Sequence, residues 1–268
     1  METKKLKNDS KKVKFTLIAS ILYVFATLVG LAFYLGTSNP VIAVIAGSLM
    51  AVLPVPLYVF GVYLLDRKEP EPKILLFLTF VWGATIAILI SLVINTAVMN
   101  FLGLTASSII SAPITEEISK GAAIFLLFFL RRKNLDSILD GIVYGAMVGL
   151  GFAMTENIFY YVRSLSASGI TGGLSIFWTR GVMTPYAHPL FTMMTGIGFA
   201  ISANTDNDWL RKKAPVFGII TAIVLHAVWN GSNLLGAGGF AVIYYLLFIP
   251  ILILVVAGTW VGIFKKEG

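Results

Sequence analysis

The stretch A-P-I-T-E-E-I-S-K-G-A-A-I-F-L-L-F-F-L, residues 112–130, puts two adjacent glutamates and a lysine near the start of a run apolar enough to cross a bilayer. A charged side chain near the centre of a membrane helix costs roughly 2.5–3.5 kcal/mol on insertion scales, so three in one segment are either compensated or used. Similar apolar runs recur from Phe15 to the end of the chain. Of its 268 residues, 57% are hydrophobic and 12% charged, and the mean hydropathy of +0.88 lies far from soluble composition. About 20 apolar residues suffice to cross a hydrocarbon core of roughly 30 Å as a helix. A β-barrel would show short alternating segments instead. The expected fold is therefore all-α, a polytopic membrane helix bundle of about eight transmembrane helices, at 15–35, 41–65, 74–100, 112–130, 141–162, 185–203, 215–235 and 241–264. Between the fifth and sixth, residues 163–184 contain S-A-S-G-I-T-G-G and read as an extracytoplasmic loop with, at most, a short interfacial helix.

The net charge of +7 would suggest nucleic-acid binding in a soluble chain, but the distribution of the cations argues otherwise. Lysines 4, 5, 7, 11, 12 and 14 precede the first span, and Arg67, Lys68 and Lys73 separate the second from the third. Arg131, Arg132 and Lys133 follow the fourth, Arg211, Lys212 and Lys213 precede the seventh, and Lys265 and Lys266 follow the eighth. The intervening loops carry only Arg163 and Arg180. By the positive-inside rule, both termini are expected to be cytoplasmic. Residues 1–14 form a basic cytoplasmic arm that touches anionic lipid, 15–264 a single transmembrane domain and 265–268 a cytoplasmic tail. No role in nucleic-acid binding is expected. The first span is too long for a signal-peptide core, which makes it an uncleaved anchor. The sequence has no cysteine, which excludes disulfides, thiolate metal ligands and a cysteine nucleophile.

Apart from the loop charges, the ionisable residues inside spans are Glu116, Glu117, Lys120, Glu156, His188 and His226, accompanied by Asn157 and Asn230. With the topology above, the two adjacent glutamates fall in the outer turns of the fourth span and His188 one turn into the sixth. At 1.5 Å per residue, Glu156 lies about 9 Å and His226 roughly 14 Å from the outer ends of their helices. Four helices thus bring polar groups to one depth, which points to one shared site. Lys120 is four residues from Glu116 and three from Glu117, so it can pair with either along one helical edge, leaving the other carboxylate free for chemistry. His226 and Asn230 share a face by the same spacing. Glycines at 141, 145, 149 and 151 let the fifth span pack closely against its neighbours. Asn95 reads as a bond between helices.

Carboxylates, imidazoles, an amide and a lysine suit hydrolysis, with glutamate taking a proton from water while imidazole and amide stabilise the oxyanion. Glu117, His188 and His226 also make a His₂Glu set for a divalent metal such as zinc, although no H-E-x-x-H spacing is present. A transporter or proton relay could use the same groups. The plainly apolar inner halves, such as residues 122–130, argue against a path through the membrane.

The ordered motifs E-E-I-S-K (116–120), D-G-I-V-Y-G-A-M-V-G-L-G-F-A-M-T-E-N (140–157), A-H-P-L-F-T (187–192) and H-A-V-W-N (226–230) resemble those of the PrsW intramembrane proteases, which are distantly similar to CAAX prenyl endopeptidases. D-R-K-E-P-E-P-K (66–73) fits as well, and the resemblance covers 66–230. It implies a multi-pass protease of a bacterial or archaeal plasma membrane, cleaving single-pass membrane proteins such as anti-sigma factors near the outer surface. It carries the paired glutamates onto Glu116 and Glu117, the histidines onto His188 and His226, the E-N motif onto Glu156 and Asn157, and the final amide onto Asn230.

Overall fold

The computed structural model describes residues 2–262, with the side chains of residues 1–15 and 17 excepted. The basic side chains of the amino-terminal arm and the 265–268 tail therefore lie outside the described residues. All regular structure among those residues is helical: α1 (Glu2–Gly36), α2 (Val41–Val52), α3 (Val55–Asp66), α4 (Lys73–Trp82), α5 (Ile88–Ala106), α6 (Ala112–Arg131), α7 (Ile138–Phe177), α8 (Ala187–Asn204), α9 (Asp208–Ser232), α10 (Gly236–Ile243) and α11 (Ile249–Val261). Wide or tight single turns link several of them.

Five helical runs are long and apolar enough to cross a membrane: Ile18–Gly36, Val41–Asp66, Lys73–Asn134, Ile138–Asn204 and Asp208–Val261. The last three, of 62, 67 and 54 residues, are longer than one crossing needs. Each contains a glycine at positive φ where the helical path breaks: Gly103 (82°), Gly169 (63°) and Gly236 (70°). Glycine adopts this backbone without the Cβ clash that bars other residues.

α7 is the central helix, buried at every position from Leu139 to Thr155. It is apolar all round because it has neighbours all round. Gly149 brings it against the backbone of α8: a Cβ there would stand 2.5 Å from the Pro189 nitrogen and 2.7 Å from the His188 carbonyl carbon. The small residues of the fifth span thus set the height of His188. Ser137 and Asp140 form a capping box at the start of α7, and the Asn207 side chain accepts from two backbone N–H groups at the start of α9.

The loops rich in cations meet at one end of the bundle. Arg132 donates to the Ala203 carbonyl at 2.9 Å, Asn204 to the Leu135 carbonyl at 2.8 Å and Lys68 to the Trp260 carbonyl at 3.1 Å. We call this the basic end.

Residues 163–184 are not the loop that their composition suggests. α7 continues to Phe177, breaks at Gly169 and folds back so that Gly173 packs on the Leu165 side chain. A single wide turn over Trp178–Met183 follows. The Ser and Gly content reads as flexibility in a sequence, but here it provides one reversal and a close return.

Candidate active site

Glu116 and Glu117 lie in α6, Glu156 and Asn157 in α7, His188 in α8 and His226 in α9. Measured along their helices from the basic end, Glu116, Glu156, His188 and His226 lie roughly 22–27 Å in, at 1.5 Å per residue. They converge in the half of the bundle opposite the basic end. Glu117 and Lys120 are wholly buried, and Glu116, His188 and His226 nearly so.

Lys120 chooses between its two carboxylates. Its ammonium donates to Glu117 Oε1 at 2.6 Å and stands 3.8 Å from Glu116 Oε2. Glu117 also meets His226 Nδ1 at 2.9 Å through Oε1 and accepts from the Thr192 hydroxyl at 3.2 Å through Oε2. Both of its oxygens are committed. Glu116 takes one side-chain bond, from Asn95 Nδ2 to Oε1 at 3.3 Å, while its Oε2 is buried with no hydrogen-bond partner among the described residues. That open oxygen is 3.9 Å from His226 Nε2.

His188 links the two sides of the cluster. Its Nδ1 lies 3.1 Å from the Lys120 ammonium and its Nε2 2.9 Å from Glu156 Oε2. An ammonium only donates, so Nδ1 accepts and the ring proton sits on Nε2, directed at Glu156. Glu156 is closed from the other side by Arg180, which also donates through Nε to Asn157 Oδ1 at 2.7 Å. A continuous line of contacts thus runs Glu117, Lys120, His188, Glu156, Arg180. Phe152 lies against the Lys120 ammonium, 4.1 Å from ring centroid to nitrogen, and contributes a cation–π contact.

Ligand atoms of Glu116, His188 and His226 lie within 4.8 Å of one another, an arrangement that could hold a metal ion. The expected carboxylate of this trio was Glu117; the geometry supplies Glu116, because Lys120, His226 and Thr192 already occupy Glu117. A metal-ligating histidine commonly has its second nitrogen held by a carboxylate, as Glu117 holds His226. The open Glu116 oxygen and His226 Nε2 fit a divalent ion such as zinc, whereas His188 would join them through Nδ1 only by giving up its bond from Lys120.

Asn230 bonds away from this cluster: its amide donates to the Ser108 carbonyl at 2.7 Å. Asn95 is a bond between helices, accepting from Ser111 and Thr115, and it also reaches Glu116. Sequence reasoning passed over Arg180 and Thr192. Arg180 was placed among loop cations; the usable signal was that it lies only eight residues before His188 on a segment with few other charges.

The sequence pattern described as PrsW family intramembrane metalloprotease matches residues 71–255. The chain is 27% identical over 187 residues to Protease PrsW of Clostridioides difficile, a match covering 68% of this chain and 76% of the relative. It is 27% identical over 171 residues to Protease PrsW of Oceanobacillus iheyensis, covering 63% and 74%, and 31% identical over 177 residues to that of Geobacillus kaustophilus, covering 63% and 71%. No solved structure matches.

Proposed function

The chain belongs to the PrsW family of intramembrane proteases, and from that premise we propose that it hydrolyses peptide bonds of single-pass membrane proteins with Glu116 as the reactive carboxylate. The observation that carries this is the division of labour between adjacent glutamates: Glu117 is committed on both oxygens, while Glu116 keeps one buried oxygen open. That oxygen accepts a proton from the attacking water as the water oxygen adds to the scissile carbonyl, and the proton then passes to the leaving nitrogen. Lys120, 3.8 Å away, is the nearest cation to the open oxygen and suits the negative charge that develops beside it. Glu117 orients His226 and holds Lys120, and Glu156 orients His188. In a metal-assisted variant, zinc or another divalent ion would be held by Glu116, His226 and, in place of its bond from Lys120, His188 Nδ1; Glu116 would then be a ligand and not the base, and the ion would supply Lewis acidity and a bound water ionising near pH 7.

The site lies far from the basic end. With that end in the cytoplasm by the positive-inside rule, cleavage falls in the outer half of the membrane. Cutting the three long runs at Gly103, Gly169 and Gly236 supports about eight crossings with both termini inside. Anti-sigma-factor-like proteins of a bacterial or archaeal plasma membrane are the proposed substrates, in keeping with the family resemblance.

The test is cleavage of a panel of tagged single-pass membrane proteins by purified enzyme in liposomes, with and without chelator. Glu116→Gln should lower the rate by about 10²–10⁴, the range of a positioned general base. Glu117→Gln should lower it too, together with thermal stability. Loss in chelator, reversed by zinc, supports metal assistance, and chelator-resistant cleavage supports glutamate alone. Full activity in Glu116→Gln would refute the assignment.

A further inference from the structure

A cavity opens beside the Asn157–His188 side of the cluster. The segment before α6, α7, the 178–183 turn, the end of α9 and α10 enclose an open space of about 700 Å³, inside the roughly 300–1,000 Å³ range of ligand sites. It shares Arg180, Thr184 and Trp229 with a narrow crevice lined by Asn157 and His188. The way from the cavity to His188 therefore passes Arg180, the one charged side chain among the described residues that line the cavity. The guanidinium is held by Glu156 and Asn157 and lies 3.8 Å from the Tyr160 ring centroid. The backbone around it is pinned: the Tyr58 hydroxyl donates to the Gly181 carbonyl and the Tyr244 hydroxyl to the Met183 carbonyl.

Two chemistries line the walls. The Ser108 and Thr179 hydroxyls and the Asn230 and Asn233 amides donate to nearby backbone carbonyls and so present their side-chain oxygens as acceptors, and Trp229 and Phe240 offer aromatic faces. A peptide bond inside a helix is shielded and must unwind before water can attack it. Backbone groups freed within a bilayer need new partners, which an intact helix would not. A wall mixing hydrogen-bonding and aromatic groups therefore suits an extended strand. One side of the cavity is α10, sequence G-A-G-G-F-A-V-I, in which no residue is buried. A Cβ at Gly236 or Gly238 would have nothing within 4 Å, so this wall has room to give.

We propose, building on the protease reading above, that this cavity is the vestibule for the unwound segment of a membrane-anchored polypeptide, and that Arg180 is the stopper between it and the Glu156–His188 pair. The entering strand competes for the guanidinium through its carbonyl oxygens, and Arg180 turns from Glu156 to the strand.

Because the chain has no cysteine, a single one can be introduced and labelled after purification. Cleavage is measured for Ala237→Cys before and after labelling with a bulky methanethiosulfonate, beside Ile253→Cys, whose side chain is exposed on α11 away from the cavity. Labelling at 237 should slow cleavage at least tenfold, labelling at 253 should leave it unchanged, and excess substrate should slow the labelling of 237 in a Glu116→Gln background. Arg180→Lys keeps a charge for Glu156 but loses the fork that also reaches Asn157; it should lower kcat severalfold while KM changes by less than twofold. Unaltered cleavage by labelled Ala237→Cys, with no protection by substrate, would overturn the vestibule. Cleavage that survives Glu116→Gln would instead strike at the reactive site on which this proposal rests.

Discussion

α7 meets one buried acidic cluster near its start and a second about midway along it, at opposite ends of the bundle, and the two are built differently. Near the basic end, Asp140 accepts from the N–H groups of Asp136 and Ser137 and from the Ser137 hydroxyl, each at 2.8 Å. Asp66 accepts from the Glu71 N–H at 3.0 Å, and Glu71 from the Tyr144 hydroxyl. At the opposite end, Glu117 and Glu156 are held by ammonium, guanidinium and imidazole groups from α6, α8, α9 and the turn before α8. The donors at the basic end are neutral dipoles, most within five residues of their acceptor, as expected where carboxylates finish helix ends. At the far end they are charged or titratable and come from separate helices. An open carboxylate oxygen does not by itself distinguish the two, since Asp66 Oδ1 also lacks a partner among the described residues. The imidazoles that surround the open oxygen of Glu116 make the difference.

The sharpest way to break this comparison is to remove a charge from each cluster. Lys120→Met strips the counter-charge from Glu117 in a fully buried site, which should destabilise by roughly 3–5 kcal/mol and abolish cleavage. Adding Glu117→Leu should restore much of the stability, read by thermal unfolding in detergent, without restoring activity. Asp140→Ala removes a cap and should cost about 0.5–2 kcal/mol while leaving the rate per folded molecule unchanged. A loss of rate beyond the loss of fold would show that the basic end serves the chemistry after all.

Glu71→Gln should have the smallest effect, seen in pH dependence. Burial raises the Glu71 carboxyl above its ordinary range, against the opposing pull of the Tyr144 hydroxyl. The folded state then binds more protons than the unfolded one, so stability falls as pH rises from the ordinary glutamate range through the raised value. The glutamine variant should lack that decline, outlasting the wild type above the window and gaining nothing below it. Parallel unfolding profiles across pH would contradict this.

Much of the far cluster was legible in the sequence because charge is conspicuous among apolar residues. Glu116, Glu117, Lys120, Glu156, His188 and His226 stood out by type, and helix direction placed them at one depth. The partner of Lys120 was not legible, since spacings of three and four residues both permit a pair; His226 and Thr192, distant in sequence, decide it for Glu117. Arg180 was hidden because the reversal at Gly169 that returns its segment to α7 depends on packing that composition does not encode. At the basic end, S-I-L-D (137–140) carries a capping signature, whereas the approach of Glu71 to Tyr144 is purely tertiary.

The far cluster also has an uneven charge. Among the described residues Glu116, Glu117 and Glu156 face two permanent cations, Lys120 and Arg180, so with neutral histidines the ionised site is one positive charge short. The shortfall is localised: Lys120 faces Glu117 and Arg180 faces Glu156, which leaves it on Glu116. A proton taken from water neutralises Glu116 but hands the negative charge to the oxygen that attacks, whereas a divalent ion adds charge and reverses the sign of the imbalance. Glutamate-driven hydrolysis thus moves the shortfall onto the substrate, and metal-assisted hydrolysis fills it.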